Sequence, residues 1–317
     1  MTVTQLSTFV LVARLGSVGA AARALGVSES AVSQALTALR THYSDPLIRR
    51  TGGGMRLTPA GARLLPVASQ MITLSADAEA AVRAARGAPD ELRVVATSTL
   101  AEFVLPSLVE AFADRSGHRA ETSFGVAAGH EIRVLVENRL ADVALGPYLG
   151  ADHGGELVSE PLFRTQLVVV IGARSPRPPG PPPQWSWLVD SSGTDPDADS
   201  GRLLRRLKVA EGHVWVFPNQ AATWAAAAEG AGVAPALAHL VSPRIRRDEL
   251  RVLETPATPS DATWHATVLR ADHRSPATDA FLHFLHTPAA TRIMRAPGAG
   301  VPPSRFRPPV HVTLWGA

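Results

Sequence analysis

The sequence predicts an α+β head joined by one long helix to an α/β body, and three observations carry that expectation. Residues 17–58 read as two short amphipathic helices, a tight turn and a basic, glycine-tipped hairpin, the pattern of a winged helix-turn-helix. Residues 59–86 hold apolar positions at helical spacing over a length that two short helices cannot cover. From residue 90 onward, apolar runs of strand length alternate with amphipathic runs of helix length, as in an α/β layer fold with a mainly parallel sheet.

In the head, Ala21, Ala22 and Leu25 share one face of the first short helix, and Gly26 suits the sharp reversal after it. Ser28 stands where an N-cap belongs; Ala31 three residues on leaves the capping box incomplete. Val32, Leu36 and Leu39 give the second helix a buried face, while Ser30, Ser33, Gln34 and Thr37 line the other with short polar groups able to approach base edges. Arg49 and Arg50 precede Gly52-Gly53-Gly54 and Arg56 follows, so a hairpin here sets positive charge on both strands beside phosphates. Arg14, Arg23, Arg40, Arg49, Arg50 and Arg56 against Glu29 and Asp45 make the first 60 residues +4, which leaves −1 for the rest of a +3 chain. A basic head on a near-neutral body fits duplex binding. The bland alternative is an Ala-rich helical pair that only packs.

These residues resemble the N-terminal domain of the LysR-type transcriptional regulators: LSTFVLVARLGSVGAAARALGVSESAVSQALTAL, then DPLIRRTGGGMRLTPAG. Three departures stand out: Leu39-Arg40 where the family usually has Leu-Glu, Leu47-Ile48 where it has Leu-Phe, and Gln34 where Arg is frequent. LADVALG (140–146) and AAEGAGVAP (227–235) are similar to its effector domain, and the resemblance reaches about Arg295. It implies a periplasmic-binding-protein-like effector domain of two α/β lobes with a ligand cleft between them. The expected organisation is 1–58 DNA-binding head, 59–89 linker and dimerisation helix, 90–296 effector-binding domain (lobe I about 90–161 and 266–296, lobe II about 162–265), and 297–317 tail. It implies a homodimer or homotetramer on double-stranded DNA, with half-sites about one or more helical turns apart, often activating a neighbouring gene and so working with RNA polymerase. Arg23, Arg49, Arg50 and Arg56 would supply salt-dependent affinity, and Ser28, Ser30, Ser33, Gln34 and Thr37 the groove face.

The linker helix starts from a Thr58 cap and Pro59, runs through Leu64, Leu65, Ala68, Met71, Ile72, Ala76, Ala80 and Val82, and should bend at Pro66. Gly87-Ala88-Pro89-Asp90 reads as a hinge. In the body, strands are expected at Leu92–Ala96, Glu121–Val126, Asp142–Leu145, Leu167–Ile171, Trp215–Phe217 and Ala266–Leu269, and helices at Leu100–Ala113, Ile132–Asn138, Ala221–Glu229 and Asp279–His286. Thr97, Ser98 and Thr99, between a strand and a helix N-terminus, form an anion-compatible site. By family position Gly129, Pro147, Ser191, Ser192, Asn219 and Gln220 would line the same cleft, and a carboxylate-bearing metabolite is the expected effector.

Other chemistry finds little footing. Cys is absent, which excludes disulfide, thiolate and cysteine-redox mechanisms. Walker, GxGxxG, GxSxG and HExxH motifs are missing, so neither enzyme activity nor a cofactor is expected. The competing class is a ligand-binding or enzymatic α/β protein whose N-terminal helices serve only oligomerisation. His283 and His286 stand at i, i+3 without a third ligand, and Asp195, Asp197 and Asp199 read as a solvated acidic loop; no metal is expected. Phe9–Ala13 is too short for a leader and no run reaches a membrane span, so the cytoplasm is the expected compartment. PRPPGPPP (176–183) reads as a stiff surface connector, and the Pro/Gly-rich tail from Pro297 resembles nothing in the family.

Overall fold

A computed structural model describes residues 1–51, 54–117, 120–150 and 156–296. The expected tail, 297–317, and the wing-tip residues Gly52 and Gly53 lie outside the described residues. The head comprises helices α1 (Val3–Leu15), α2 (Val18–Leu25) and α3 (Glu29–Tyr43) and a hairpin of β1 (Ile48–Thr51) and β2 (Gly54–Leu57). Helix α4 (Pro59–Ala85) follows. The body then runs β3 (Asp90–Ala96), α5 (Ser98–Phe103), α6 (Leu105–Ser116), β4 (Ala120–Val126), α7 (Gly129–Glu137), β5 (Val143–Gly146) and β6 (Leu157–Gly172). It continues through β7 (Trp187–Val189), α8 (Asp199–Arg206), β8 (Val214–Val216), α9 (Gln220–Ala228), β9 (Ala234–Leu237), α10 (Ala238–Arg246) and β10 (Leu250–Leu253). Strand β11 (Ser260–Leu269) and helices α11 (Pro276–Leu285) and α12 (Pro288–Arg295) complete it.

The head buries Leu6, Phe9 and Val10 of α1 against Ala21 and Ala22 of α2 and Val32, Leu36 and Leu39 of α3. Ala68 and Ile72 of α4 join this core, so the first turns of the linker are part of the head's packing. Thr58 caps α4 as expected, accepting the Gly61 N–H at 3.0 Å, and the helix runs unbroken through Pro66. Val67, Leu74 and Val82 on α4 remain exposed, Leu74 by 67%.

The body's main sheet is mixed, which corrects the mainly parallel expectation. Its order is β10-β6-β11-β5-β3-β4, with β9 also on β6. Within this sheet, among the described residues, only β3 pairs in parallel, with β4 and β5; β6 meets β9, β10 and β11 antiparallel, and β11 meets β5 antiparallel, while β7 and β8 form a separate parallel pair. One lobe is β3–β5 with α5–α7, α11 and α12; the other is β7–β10 with α8–α10. The long antiparallel partners β6 and β11 pass through both, and their register slips between Trp264 and His265, the kind of bulge that bends a ladder. The expected helix 100–113 is two helices: Val104 leaves helical geometry (φ −121°), and Pro106 at the start of α6 has no N–H to continue the ladder. The proline-rich connector is anchored more firmly than expected, since Trp185 Nε1 donates to the Gly180 carbonyl at 3.0 Å and Trp187 Nε1 to that of Pro182 at 2.8 Å. Among the described residues no helix is long and apolar enough to cross a membrane.

Candidate functional site

Two sites emerge, one on the head and one between the lobes. On the head, Ser17 and Ser28 cap α2 and α3 through the Ala20 and Ala31 N–H groups at 3.3 and 3.2 Å, and Gly26 turns the chain at φ +65°. With Val32, Leu36 and Leu39 buried, the opposite face of α3 presents Ser28, Ser30, Ser33, Gln34 and Thr37 to solvent. The hydroxyls of Ser28 and Ser30 lie 2.8 Å apart, and Thr37 donates to the Ser33 carbonyl at 2.9 Å.

The wing is held at its base. Asp45 Oδ1 accepts the Leu47 N–H at 2.6 Å and the Thr58 hydroxyl at 2.7 Å. These bonds hold its carboxyl below the usual range. Leu47 adopts φ +57° and its carbonyl accepts the Thr58 N–H at 2.9 Å; a Cβ at Gly61 would stand 2.0 Å from that same carbonyl, so glycine is required there. Arg40, the departure in α3, donates to the carbonyls of Pro46 and Ile48 at 3.2 and 3.5 Å, tying helix to wing. Leu47 and Ile48 are both buried in the head core, where the resembling family has an aromatic. Arg49 stands directly opposite Arg56 across the hairpin, and Arg49, Arg50 and Arg56 are exposed. Like charges facing each other across strands destabilise a hairpin unless an anion comes between them. Arg23 stands apart from this group: it faces α7 of the body, with its guanidinium 3.7 Å from Glu131.

Between the lobes is a cavity of about 40 Å³. Of the expected residues it gathers Thr97, Thr99, Pro147, Ser192 and Gln220, and adds Ser200, Trp224 and Trp264. Thr97 occupies the N-cap of α5 without a side-chain capping bond. Several of the expected residues, Ser192 among them, are engaged by protein partners. Ser98 donates to Asp190 Oδ2 at 2.7 Å, Ser192 donates to Asp190 Oδ1 at 2.5 Å, and the Gly129 N–H donates to Asp195 Oδ2 at 2.7 Å. Asn219 caps α9 through the Ala222 N–H at 2.8 Å, and the Ser191 carbonyl accepts the Thr194 hydroxyl at 2.8 Å. Asp195 is therefore not a solvated loop residue; it is 8% exposed and bridges the lobes. His283 and His286 do not converge, since His283 meets its own helix at the Asp279 carbonyl and His286 meets Glu160.

Sequence reasoning missed Glu102, which is 5% exposed and accepts the Gln220 and Ala221 N–H groups at 3.0 Å each. Burial, aided by Asp190, pushes it up to about 7 against the pull of those two bonds. Lobe I thus supplies the carboxyl that meets the α9 N-terminus, and lobe II supplies the one that meets that of α7. Among the described residues, no Lys, Arg or His lines the cavity. The only signal in the sequence was Asn219-Gln220 at a helix start, which advertises free N–H groups but not their partner.

An exposed polar helix face with a cationic wing, carried on a two-lobed body with a cleft, defines a ligand-responsive DNA-binding regulator. The profile of the bacterial regulatory helix-turn-helix proteins of the lysR family matches residues 3–62, and that of the LysR substrate binding domain matches residues 85–289. The chain belongs to the LysR family, as a transcriptional regulator with a DNA-binding helix-turn-helix and an effector-binding domain. It is 32% identical over 322 residues to an uncharacterised HTH-type transcriptional regulator, MT0391, of Mycobacterium tuberculosis (strain CDC 1551 / Oshkosh), covering 99% of this chain and 100% of that one. Among solved structures the fold is shared with a full-length AphB variant (TM-score 0.59, 15% identity, 90% of this chain and 98% of that one) and with CbnR, a LysR family transcriptional regulator (TM-score 0.52, 19% identity, 90% and 98%).

Proposed function

We propose that the chain reads its operator with Ser28, Ser30, Ser33, Gln34 and Thr37 of α3 in the major groove while Arg49, Arg50 and Arg56 hold phosphates, as an oligomer joined along α4. The observation that carries this is the Arg49–Arg56 pair, two exposed guanidinium-bearing residues set in register at the edge of the helix face. A backbone phosphate between them removes their repulsion and fixes the register of α3 on the duplex. The exposed Val67, Leu74 and Val82 on α4 suit a second copy's helix, making a homodimer or homotetramer. A neighbour of the same fold, CbnR, has been solved with its target DNA (TM-score 0.50, 20% identity, 90% of this chain and 99% of that one). A mobility shift on the chain's own upstream DNA at two salt concentrations, with nonspecific competitor, tests the reading. Specific, salt-weakened retention lost in the Arg49→Ala/Arg50→Ala variant supports it; retention unchanged in that variant refutes the wing's role.

The effector is a small carboxylate that binds by taking over the N–H donors now held by Glu102 and Asp195. The hydroxyls of Thr97 and Thr99, that of Ser98 once it leaves Asp190, and the helix N-termini supply its contacts. Isothermal titration with simple mono- and dicarboxylates tests this: binding weakened about tenfold in Ser98→Ala/Thr99→Ala supports it, tenfold being the loss of roughly one charge-assisted hydrogen bond. Tight binding of neutral ligands alone, indifferent to that variant, overturns it.

A further inference from the structure

Helix α7 has two working surfaces. Ile132, Leu135 and Val136 pack into the lobe with Ala127, Ala141 and Ala144, while Val134 is buried in the core cluster of the head. Around Val134 the charges alternate across the seam: Arg23 of α2 lies 3.7 Å from Glu131, Arg14 of α1 3.7 Å from Glu137, and Arg139, just past α7, 2.8 Å from Asp77 of α4. Leu140 and Ala24 pack against both clusters. Among the described residues the head is thus seated on the body through α7 and the turn that follows it.

The first turn of that helix is the cleft contact. Gly129 donates its N–H to Asp195 of the opposite lobe, so closely that a Cβ on Gly129 would come within 3.2 Å of the carboxylate. Glu131 then serves both ends: Oε2 accepts the Ala128 N–H at 3.0 Å, closing the turn that Asp195 touches, and Oε1 faces Arg23.

We propose that α7 is the relay between cleft and head: with Asp195 seated on its first turn the head is docked through Glu131 and Glu137, and withdrawal of the opposite lobe loosens that turn and releases α1 and α2. This rests on the cleft being the effector site, and it says which contact an effector must alter to be felt at the DNA-binding surface. An effector that prefers the cleft with Asp195 withdrawn shifts the head toward its released form, and DNA that prefers the released head favours that cleft in return.

The test uses the full chain without effector or operator, so its failure and that of the effector reading are separable. Gly129→Pro removes the one N–H at a first-turn position that accepts proline, next to an Ala128 already extended (ψ 157°). Glu131→Gln keeps the cap and drops the charge. Amide exchange should quicken across residues 10–25 in both variants. Binding to a random-sequence duplex should tighten roughly two- to fivefold in Glu131→Gln, the scale of one half-exposed ion pair, with a steeper salt dependence as Arg23 turns to phosphate. The swap Arg14→Glu/Glu137→Arg, which leaves the Glu131 cap in place, should restore the protection that either single reversal loses. Wild-type exchange across 10–25 in Gly129→Pro while the start of α7 exchanges faster, or a swap no better protected than the single reversals, overturns the relay.

Discussion

Glu102 and Gln220 sit on opposite lobes, yet the carboxylate of the first accepts the backbone N–H of the second at 3.0 Å, deep enough that the acid is held near neutrality. A carboxyl whose folded value, about 7, exceeds its ordinary value of 4.5 binds its proton more tightly when folded. Its contribution to stability is full below pH 4.5 and is lost as the pH rises through 7. That span corresponds to about 3 kcal/mol. Urea midpoints of the effector domain should fall between pH 5 and 8 relative to a Glu102→Gln variant; parallel profiles would contradict the assignment.

His239 works in the opposite sense. Burial beside Phe163 and Trp264, ring centres 5.0 and 5.1 Å away, pushes it down to about 4. Its contribution is present above pH 6.5 and fades as the pH falls toward 4. A His239→Gln variant should lose this acid sensitivity, read as the difference in midpoint between pH 7 and pH 4.5.

Removing Arg49 and Arg50 should flatten the salt dependence of DNA binding. If each neutralises one phosphate, the slope of log affinity against log salt drops by about 1.8 in a double Ala variant. Anisotropy titrations from low to moderate salt read this directly, and an unchanged slope would place these side chains off the duplex.

Gly61→Ala should cost about 2–3 kcal/mol in head stability, because the new methyl meets the Leu47 carbonyl rather than a side chain able to move. Retention on DNA should weaken with it, since Leu47 sets the base of the wing. A variant as stable as the parent would show that the linker can shift away without loss.

Trp224→Ala should cost about 3–5 kcal/mol, the usual range for truncating a fully buried tryptophan. The ring is 1% exposed, stacks on Phe103 of the other lobe at 5.1 Å, and donates to the Pro235 carbonyl at 3.2 Å. Denaturation of the variant and of Phe103→Ala, singly and together, should reveal coupling across the cleft.

The head was legible because its determinants are local: caps, a turn glycine and an i, i+4, i+7 stripe all lie within 30 residues. The body's connectivity was not. Only Leu167–Ile171 of β6 forms a continuous apolar run; the preceding residues 157–166 include Pro161, Arg164 and Gln166 and are strand because β11 pairs with them from a hundred residues away. The same distance hid Glu102 and Asp195. A carboxylate's meaning depends on the N–H it meets, and those donors, at Gln220 and Gly129, are 118 and 66 residues off. The surroundings of Arg23 were hidden in a related way: a cation in a DNA-binding head is expected to face DNA, and here it lies 3.7 Å from an acid of the body.

Arg40's bonds to the Pro46 and Ile48 carbonyls bind wing and helix into one rigid piece, while the side chains on the groove face stay outside the core. The two jobs of the head therefore vary on separate tracks. On the proposed reading, exchanging Ser30, Ser33 or Gln34 would rewrite the sequence preference without unsettling the grip on the backbone, so that a regulator built this way would acquire a new operator by a few surface changes while its scaffold stayed fixed.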